Sequence, residues 1–318
     1  MKIVITGGAG FFGSHILEAA IERYPNARFI VFDKLTYAGD LRNIEEAEER
    51  ANVEVVVGDV CDLSTCRKTL SGADLVIHTA AESHVDNSFG NSLEFTRTNV
   101  YGTHVLIEAS RFENVPRFIH VSTDEVYGEI ATGLADESFP IAPTNPYSSS
   151  KAAAEHIVLG YWKSYKSPII MVRPNNIFGT RQYPEKIIPL FIGRLLAGRK
   201  VPLHGKGLNS RHYLAVRDAA QAIICICDRG ELMTTYNIGS EDEYTNLEVA
   251  EMICRYFEVD PKERIEFVPD RPYNDCRYGI TSEKIKALDW APISKLEDEL
   301  PSVAEWYRAN INRYIAVD

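Results

Sequence analysis

Two carboxylates stand side by side in "HVSTDEVYGE", Asp124 and Glu125, directly after Thr123 and an apolar run. Adjacent like charges repel, so their placement where a parallel sheet opens onto its ligand is a chemical question. Further on, "PYSSSKAAAEH" carries Tyr147 and Lys151 four residues apart in a helical pattern, which projects both side chains from one face. An ammonium beside a phenol lowers the phenol's pKa, and the resulting phenolate is a base for an alcohol. Alone, Tyr-x-x-x-Lys is common on solvated helices; its meaning depends on what precedes it.

What precedes it is "ITGGAGFFGSH", with Gly7, Gly10 and Gly13 in a G-x-x-G-x-x-G array after the first strand and at the start of a helix. Glycines there permit a tight turn and close backbone approach to a pyrophosphate, while the helix N-terminus offers free N–H groups to the anion. Phe11 and Phe12, inside the array, are counted with it. Asp33 closes the second strand twenty residues after Gly13, where a carboxylate accepts from both ribose hydroxyls and repels a 2′-phosphate. NAD is therefore favoured over NADP. Asp59, in "VGDVCDL", is placed either to meet the adenine ring or to cap a helix from Leu63 onwards. With this cofactor, Tyr147 and Lys151 gain a purpose: the phenolate removes an alcohol proton while hydride leaves for NAD, and Thr123 hydrogen-bonds the same alcohol.

The elements that must position these groups alternate through the first half. "KIVIT", "RFIVFD", "VEVVVGD", "DLVIHTA", "RFIHVS" and "PIIMVR" are β-rich runs, interleaved with helical patterns at 11–23, 95–113 and 147–166. The expected fold is α/β, a Rossmann-type doubly wound parallel sheet with a smaller C-terminal substrate-binding lobe. The division expected is 1–173 for the NAD-binding domain, with a return segment near 215–238, and 174–318 mainly for the lobe. "NNIFGTRQYPEK" and "LHGKGLNSRHY" look like ligand-facing loops. "TNLEVAEMICRYF" has Asn246 as a helix cap signal, and Pro301 is expected to interrupt the last helix, in "KLEDELPSVAEWYRANINRY".

At 318 residues, 45% hydrophobic, the chain has ordinary globular composition. A net charge of -11 argues against nucleic acid or an anionic membrane as the main partner. No apolar run approaches the roughly twenty residues that span a bilayer, and Met1 leads straight into a strand, so a cytoplasmic location is expected. Cys61, Cys66, Cys225, Cys227, Cys254 and Cys276 lack paired metal spacing and are expected as reduced thiols; the eight histidines show no metal pattern either.

The glycine array, "STDEVYGE", "NPYSSSKAAAEH", "NNIFGTRQYPEKIIP", "YNIGSEDEYTN" and "VPDRPYNDCRYGI" together resemble an extended short-chain dehydrogenase/reductase, specifically a nucleoside-diphosphate-glucose 4,6-dehydratase of the dTDP-glucose or UDP-glucose kind. The resemblance runs nearly end to end. It implies tightly held NAD, a sugar-nucleotide substrate, and a homodimer built from the helices around Val100–Phe112 and Tyr147–Tyr165. It also answers the opening question. Once C4 of a hexose is a ketone, the C5 hydrogen is acidic and the C6 hydroxyl is a β leaving group. Water loss then needs a base and an acid, two neighbouring carboxyls in opposite protonation states. The resemblance assigns Glu125 as base and Asp124 as acid, with hydride returning to C6 and Glu125 reprotonating C5. Related 4-epimerases generally lack the pair, and UDP-glucuronate decarboxylases usually have serine in place of Asp124.

On the substrate side the resemblance matches Arg211 and Arg271 to positions that hold the nucleotide diphosphate, and arginine can do so bidentately. Asn176, Glu185, Lys186 and Asn246 match substrate-lobe positions. His84, in "AAESHVDNSFGN", follows the fourth strand and is counted with them. Asn274, in "YND", stands where bacterial dTDP-glucose dehydratases usually have the histidine of "GHD"; an amide still donates a hydrogen bond but carries no positive charge.

Overall fold

The computed structural model describes residues 1–270 and 273–314. The apolar runs of the first half become β1 (Lys2–Thr6), β2 (Arg28–Asp33), β3 (Val53–Val57), β4 (Leu75–His78), β5 (Phe118–Val121) and β6 (Ile169–Pro174). The second half supplies β7 (Asn176–Phe178), β8 (Val201–His204), β9 (Ser210–Ala215), β10 (Thr235–Ile238), β11 (Glu243–Thr245) and β12 (Ile265–Val268). One seven-stranded sheet runs β10-β6-β5-β4-β1-β2-β3, every pairing parallel.

A parallel sheet needs cover on both faces, and the period-2 alternation of β1 divides its side chains between two layers. Ile3 and Ile5 pack with Ile16, Leu17 and Ala20 of the helix Phe11–Arg23 and with Ile223 of the helix Val216–Arg229. Val4 packs on the opposite side with Leu106 of the helix Thr103–Phe112 and Val158 of the helix Pro146–Tyr165. The strand order reverses between β1 and β4. A ligand crevice opens beyond the carboxyl ends at such a switch point.

The remaining strands build two small sheets, β11-β9-β7 and β12-β8, around a second core that includes Phe178, Phe191, Ile253, Leu300 and Tyr307. β7, β8 and β9 lie partly within the two segments expected as loops. Each is short, and its partner is distant in sequence, so nothing local marks it as a strand. Thr245, not Asn246, caps the helix Asn246–Tyr256: its hydroxyl accepts from the Glu248 N–H at 3.2 Å and the Glu248 carboxylate returns the bond. The helix Leu296–Ala309 runs through Pro301 uninterrupted. Proline inside a helix costs about 3 kcal/mol, and burial of Leu296, Leu300, Val303, Ala304 and Tyr307 on one face offsets it.

The single helix expected at 95–113 is in fact three segments, Ser92–Phe95, a π-helical stretch Thr96–Gly102, and Thr103–Phe112. Asn99, in the widened stretch, is buried, and its amide bonds the backbone of Glu82 through both its oxygen (2.8 Å) and its nitrogen (2.9 Å), as well as the Ser150 hydroxyl (2.9 Å). The loop after β4 is thereby clamped to the helix that carries Tyr147. Among the described residues no helix is long and apolar enough to cross a membrane.

Candidate active site

The glycine array leaves no room for a side chain at its first and last glycines. Gly7 has φ +68°, and a Cβ there would lie 2.7 Å from the Ala80 nitrogen; at Gly13 it would lie 2.2 Å from the Gly7 carbonyl oxygen. The result is a bare backbone cradle at the start of a helix, opening into a cleft of about 460 Å³ that Gly7, Gly10, Phe11, Phe12, Gly13, Asp33 and Asp59 all line. Asp33 accepts from the Ala9 N–H at 3.0 Å and the Leu35 N–H at 2.8 Å; burial pushes its carboxyl up against those bonds. The cradle and the strand-end carboxylate suit a dinucleotide pyrophosphate and its ribose. The helix cap weighed for Asp59 belongs instead to Asp62, which accepts from the Ser64 N–H at 3.0 Å. Asp59 pairs with Lys34 at 2.9 Å; burial raises its carboxyl, but the Cys61 N–H and Lys34 outweigh that and leave it below its ordinary range.

At the end of β5 the chain turns sharply. Thr123 caps a short 3₁₀ turn, Asp124–Tyr127, accepting from the Glu125 N–H at 3.3 Å. The turn sends the adjacent carboxylates in different directions. Glu125 lines the cleft, half-buried, with Asn145 Nδ2 donating to it at 3.4 Å. Asp124 is set behind the wall, buried, its Oδ2 accepting from Asn175 Nδ2 at 2.8 Å. Burial and the Glu125 charge push Asp124 up to about 7, against Asn175 and Arg211. Burial also raises Glu125, opposed by the Lys186 and Arg211 cations. Two neighbours of one chemical type are thus held differently.

Tyr147 and Lys151 are both buried on the helix Pro146–Tyr165, whose start is fixed by Pro146 and by the Asn145 side chain accepting from the Ser148 N–H at 2.8 Å. Lys151 Nζ donates to the Val121 carbonyl at 2.7 Å, and burial lowers it to about 8. The lysine is therefore tied to the strand end. Tyr147 is held above its ordinary range by burial and by the Glu125 carboxylate, with the Thr123 hydroxyl pulling the other way. The expectation that Lys151 lowers the phenol does not describe the protein alone: burial dominates, and the ammonium is engaged with a backbone carbonyl.

Across the cleft, Arg211 on β9 donates to the Ser210 carbonyl at 2.7 Å and to Asn274 Oδ1 at 3.3 Å, with its guanidinium 4.5 Å from the Tyr278 ring centroid. Asn274 donates in turn to Asp270 at 2.9 Å. Lys186 donates to the Ser83 carbonyl at 2.7 Å. Glu185 accepts from the Tyr37 hydroxyl at 3.0 Å and lies 3.5 Å from His84 Nδ1, which joins the loops after β2 and β4 to the second half of the chain. Asn176 and Asn246 also line the cleft, and Arg271 lies outside the described residues. Sequence reasoning passed over Asn145 and Asn175, the amides that grip the two carboxylates, and Asp275 and Tyr278 on the opposite wall. Only Asn145 had a signal, as a cap residue before Pro146. Among the described residues no group of three or more His, Cys, Asp or Glu side chains could hold a metal, and all six cysteines are free thiols.

The glycine cradle, Asp33 and the Tyr147–Lys151 helix together define an extended short-chain dehydrogenase/reductase scaffold. A family model described as GDP-mannose 4,6 dehydratase matches residues 4–302, and the chain belongs to that family. It is 44% identical over 315 residues to a trifunctional UDP-glucose 4,6-dehydratase/UDP-4-keto-6-deoxy-D-glucose 3,5-epimerase/UDP-4-keto-L-rhamnose-reductase of Arabidopsis thaliana, covering 97% of this chain and 47% of that protein. The chain thus spans about half the length of the plant relatives it matches. It is 41% identical over 324 residues to the dTDP-D-glucose 4,6-dehydratase of Homo sapiens, covering 100% of this chain and 93% of that one. Its fold superposes on the dTDP-glucose 4,6-dehydratase of Streptomyces venezuelae, solved with NAD bound, with TM-score 0.97, 36% identity and 100% coverage of both chains.

Proposed function

We propose that the protein dehydrates a nucleoside-diphosphate glucose, dTDP-glucose or UDP-glucose, to the 4-keto-6-deoxy sugar nucleotide with NAD as a resident cofactor. The observation that carries this reading is the divided environment of Asp124 and Glu125: one buried and pushed up to about 7, the other at the cleft beside two cations. A 4-epimerase or decarboxylase on the same scaffold has no use for such a pair. The curated relatives named above act on UDP-glucose and dTDP-glucose, which supports glucose as the sugar.

The cradle of Gly7, Gly10, Phe11, Phe12 and Gly13 would hold the pyrophosphate of NAD, and Asp33 its ribose. Bound NAD supplies the two-electron acceptor and donor, reduced as C4 becomes a ketone and reoxidised as C6 is reduced. Tyr147 takes the C4 hydroxyl proton, with Thr123 bonded to the same oxygen and Lys151 lending positive charge. Glu125 then removes the C5 proton, and Asp124 protonates the departing C6 hydroxyl. Glu125 returns the proton to C5. Arg211 and Lys186 bring local positive charge to a diphosphate that the chain's net charge would repel.

A cytoplasmic homodimer belongs to this reading. It is supported by the free thiols and by the exposed Tyr101, Phe112 and Tyr165 on the two helical segments expected to pair. The test is incubation with dTDP-glucose, UDP-glucose and UDP-N-acetylglucosamine, followed by mass spectrometry. Loss of one water from a glucose nucleotide is expected. Inversion at C4 without loss of mass, or no reaction at all, overturns the reading.

A further inference from the structure

Three carboxylates, not two, approach the reacting end of the cleft. Asp275 comes from the far half of the chain, and its side chain lines the cleft while only 2% exposed. Its Oδ2 accepts from the Thr144 hydroxyl at 2.6 Å and from the Tyr278 hydroxyl. Among the described residues its Oδ1 has no hydrogen-bond partner. A buried carboxylate oxygen without a donor is costly.

Two relations give that cost a use. Thr144 directly precedes Asn145, whose amide donates to Glu125 at 3.4 Å and whose oxygen caps the helix carrying Tyr147 and Lys151. Asp275 therefore pins, from the opposite lobe, the turn that grips Glu125. A negative charge on Asp275 also acts on Glu125 through space. On the reading that Glu125 is the C5 base, we propose that Asp275 is a positioning residue for the elimination: it locks the Thr144–Asn145 turn and keeps a negative charge beside Glu125 that makes it a stronger base.

The groups facing Glu125 bear on this from several elements. Asp124 precedes it on the same turn, Tyr147 faces it from the helix, Lys186 and Arg211 are the cations across the cleft, and Tyr278 and Asp275 complete the opposite wall. Burial raises Glu125 most, Lys186 and Arg211 lower it, and Asp275 is the carboxylate from the other lobe that raises it. Removing that charge shifts the balance toward the cations, with burial still the largest influence.

The test measures deuterium entry at C5 of dTDP-glucose, or of UDP-glucose if that is the nucleotide turned over, against pH in the NAD-loaded enzyme. A base must be ionised, so the exchange rate rises through its pKa. Asp275→Asn keeps the shape and deletes the charge: the acid limb should move to lower pH by about 0.5 to 1 unit, with transient NADH and NAD content retained. Thr144→Val keeps the charge but loosens the turn and strips a donor from Asp275, so its plateau should fall ~10-fold while its limb moves upward, opposite to that of Asp275→Asn. Tyr278→Phe strips a donor from Asp275 and should move the limb upward, which gives the charge argument a variant independent of Asp275→Asn folding. An unmoved limb in Asp275→Asn, or a downward displacement in Thr144→Val or Tyr278→Phe, overturns the proposal. A parent enzyme that forms no 4-keto-6-deoxy product overturns instead the functional reading on which it rests.

Discussion

Asn175, just beyond β6, donates to Asp124 at 2.8 Å, and Asp124 is the third residue after β5, following Ser122 and Thr123. An amide donor favours the ionised carboxyl, yet Asp124 is pushed up to about 7, because burial and the Glu125 charge outweigh one hydrogen bond. The bond orients the acid; the burial keeps its proton.

That proton has a stability consequence. A carboxyl whose folded pKa is raised binds protons more tightly in the folded state, so its contribution is fully present below the unfolded value near 3.8 and is lost as pH rises through about 7. Asp124→Asn, which keeps an acceptor for Asn175, should therefore stabilise the cofactor-free protein at pH 8 by on the order of 2–4 kcal/mol and by much less at pH 5. Urea unfolding of both proteins at the two pH values checks it. An equal gain at both would mean that the carboxyl is already ionised at pH 5.

Tyr147→Phe keeps the buried ring and its edge contact with Phe95, at 6.3 Å between centroids, while removing the phenol. Substrate affinity should stay within a few-fold, and both transient NADH and product should fall by about 10²- to 10⁴-fold. Normal NADH absorbance in this variant would move the role of C4 base to another group.

Much of the site was legible because its motifs are local. Gly7, Gly10 and Gly13 sit on one turn, Tyr147 and Lys151 on one helix face, and Asp124 and Glu125 are adjacent, so spacing alone places each set. What was illegible crosses the fold. Asn175 reaches Asp124 because β5 and β6 are neighbours, and Asp275 reaches Thr144 from 131 residues away. The partner of Lys151 is the Val121 backbone carbonyl, for which no side-chain type can give a signal. Thr245 prevailed over Asn246 as a cap because Glu248 stands three residues after it and completes a capping box, a pattern that the sequence did contain.

The glycine cradle makes a graded steric prediction. A Cβ at Gly10 would meet its nearest neighbour at 3.2 Å, whereas at Gly13 it would overlap the Gly7 carbonyl at 2.2 Å, backbone against backbone with no side chain free to yield. Gly10→Ala should keep most of the NAD that purifies with the parent, and Gly13→Ala should lose it, with circular dichroism confirming the fold of each. Asp33→Arg should weaken NAD and improve NADP. Equal NAD content in the two alanine variants, or an unchanged preference in Asp33→Arg, would place the dinucleotide elsewhere in the cleft.

The two carboxylates should fail at different chemical moments. Glu125→Gln cannot take the C5 proton, so bound sugar should reach the 4-ketone and stall there, with NADH visible and little deuterium entering C5 from heavy water. Asp124→Asn removes the acid that assists the C6 hydroxyl, so C5 exchange should survive while product formation slows by about 10²- to 10⁴-fold, the usual worth of a general acid. The positions of the groups support this order: Glu125 faces the cleft between Asn145 and the cations, and Asp124 stands behind it with its proton held by burial. Deuterium at C5 in recovered sugar nucleotide, compared with the rate of 4-keto-6-deoxy product for each variant, separates the two roles. Exchange lost in Asp124→Asn but kept in Glu125→Gln would reverse the assignment, and dehydration at the parent rate in both would leave the pair with a purely structural part.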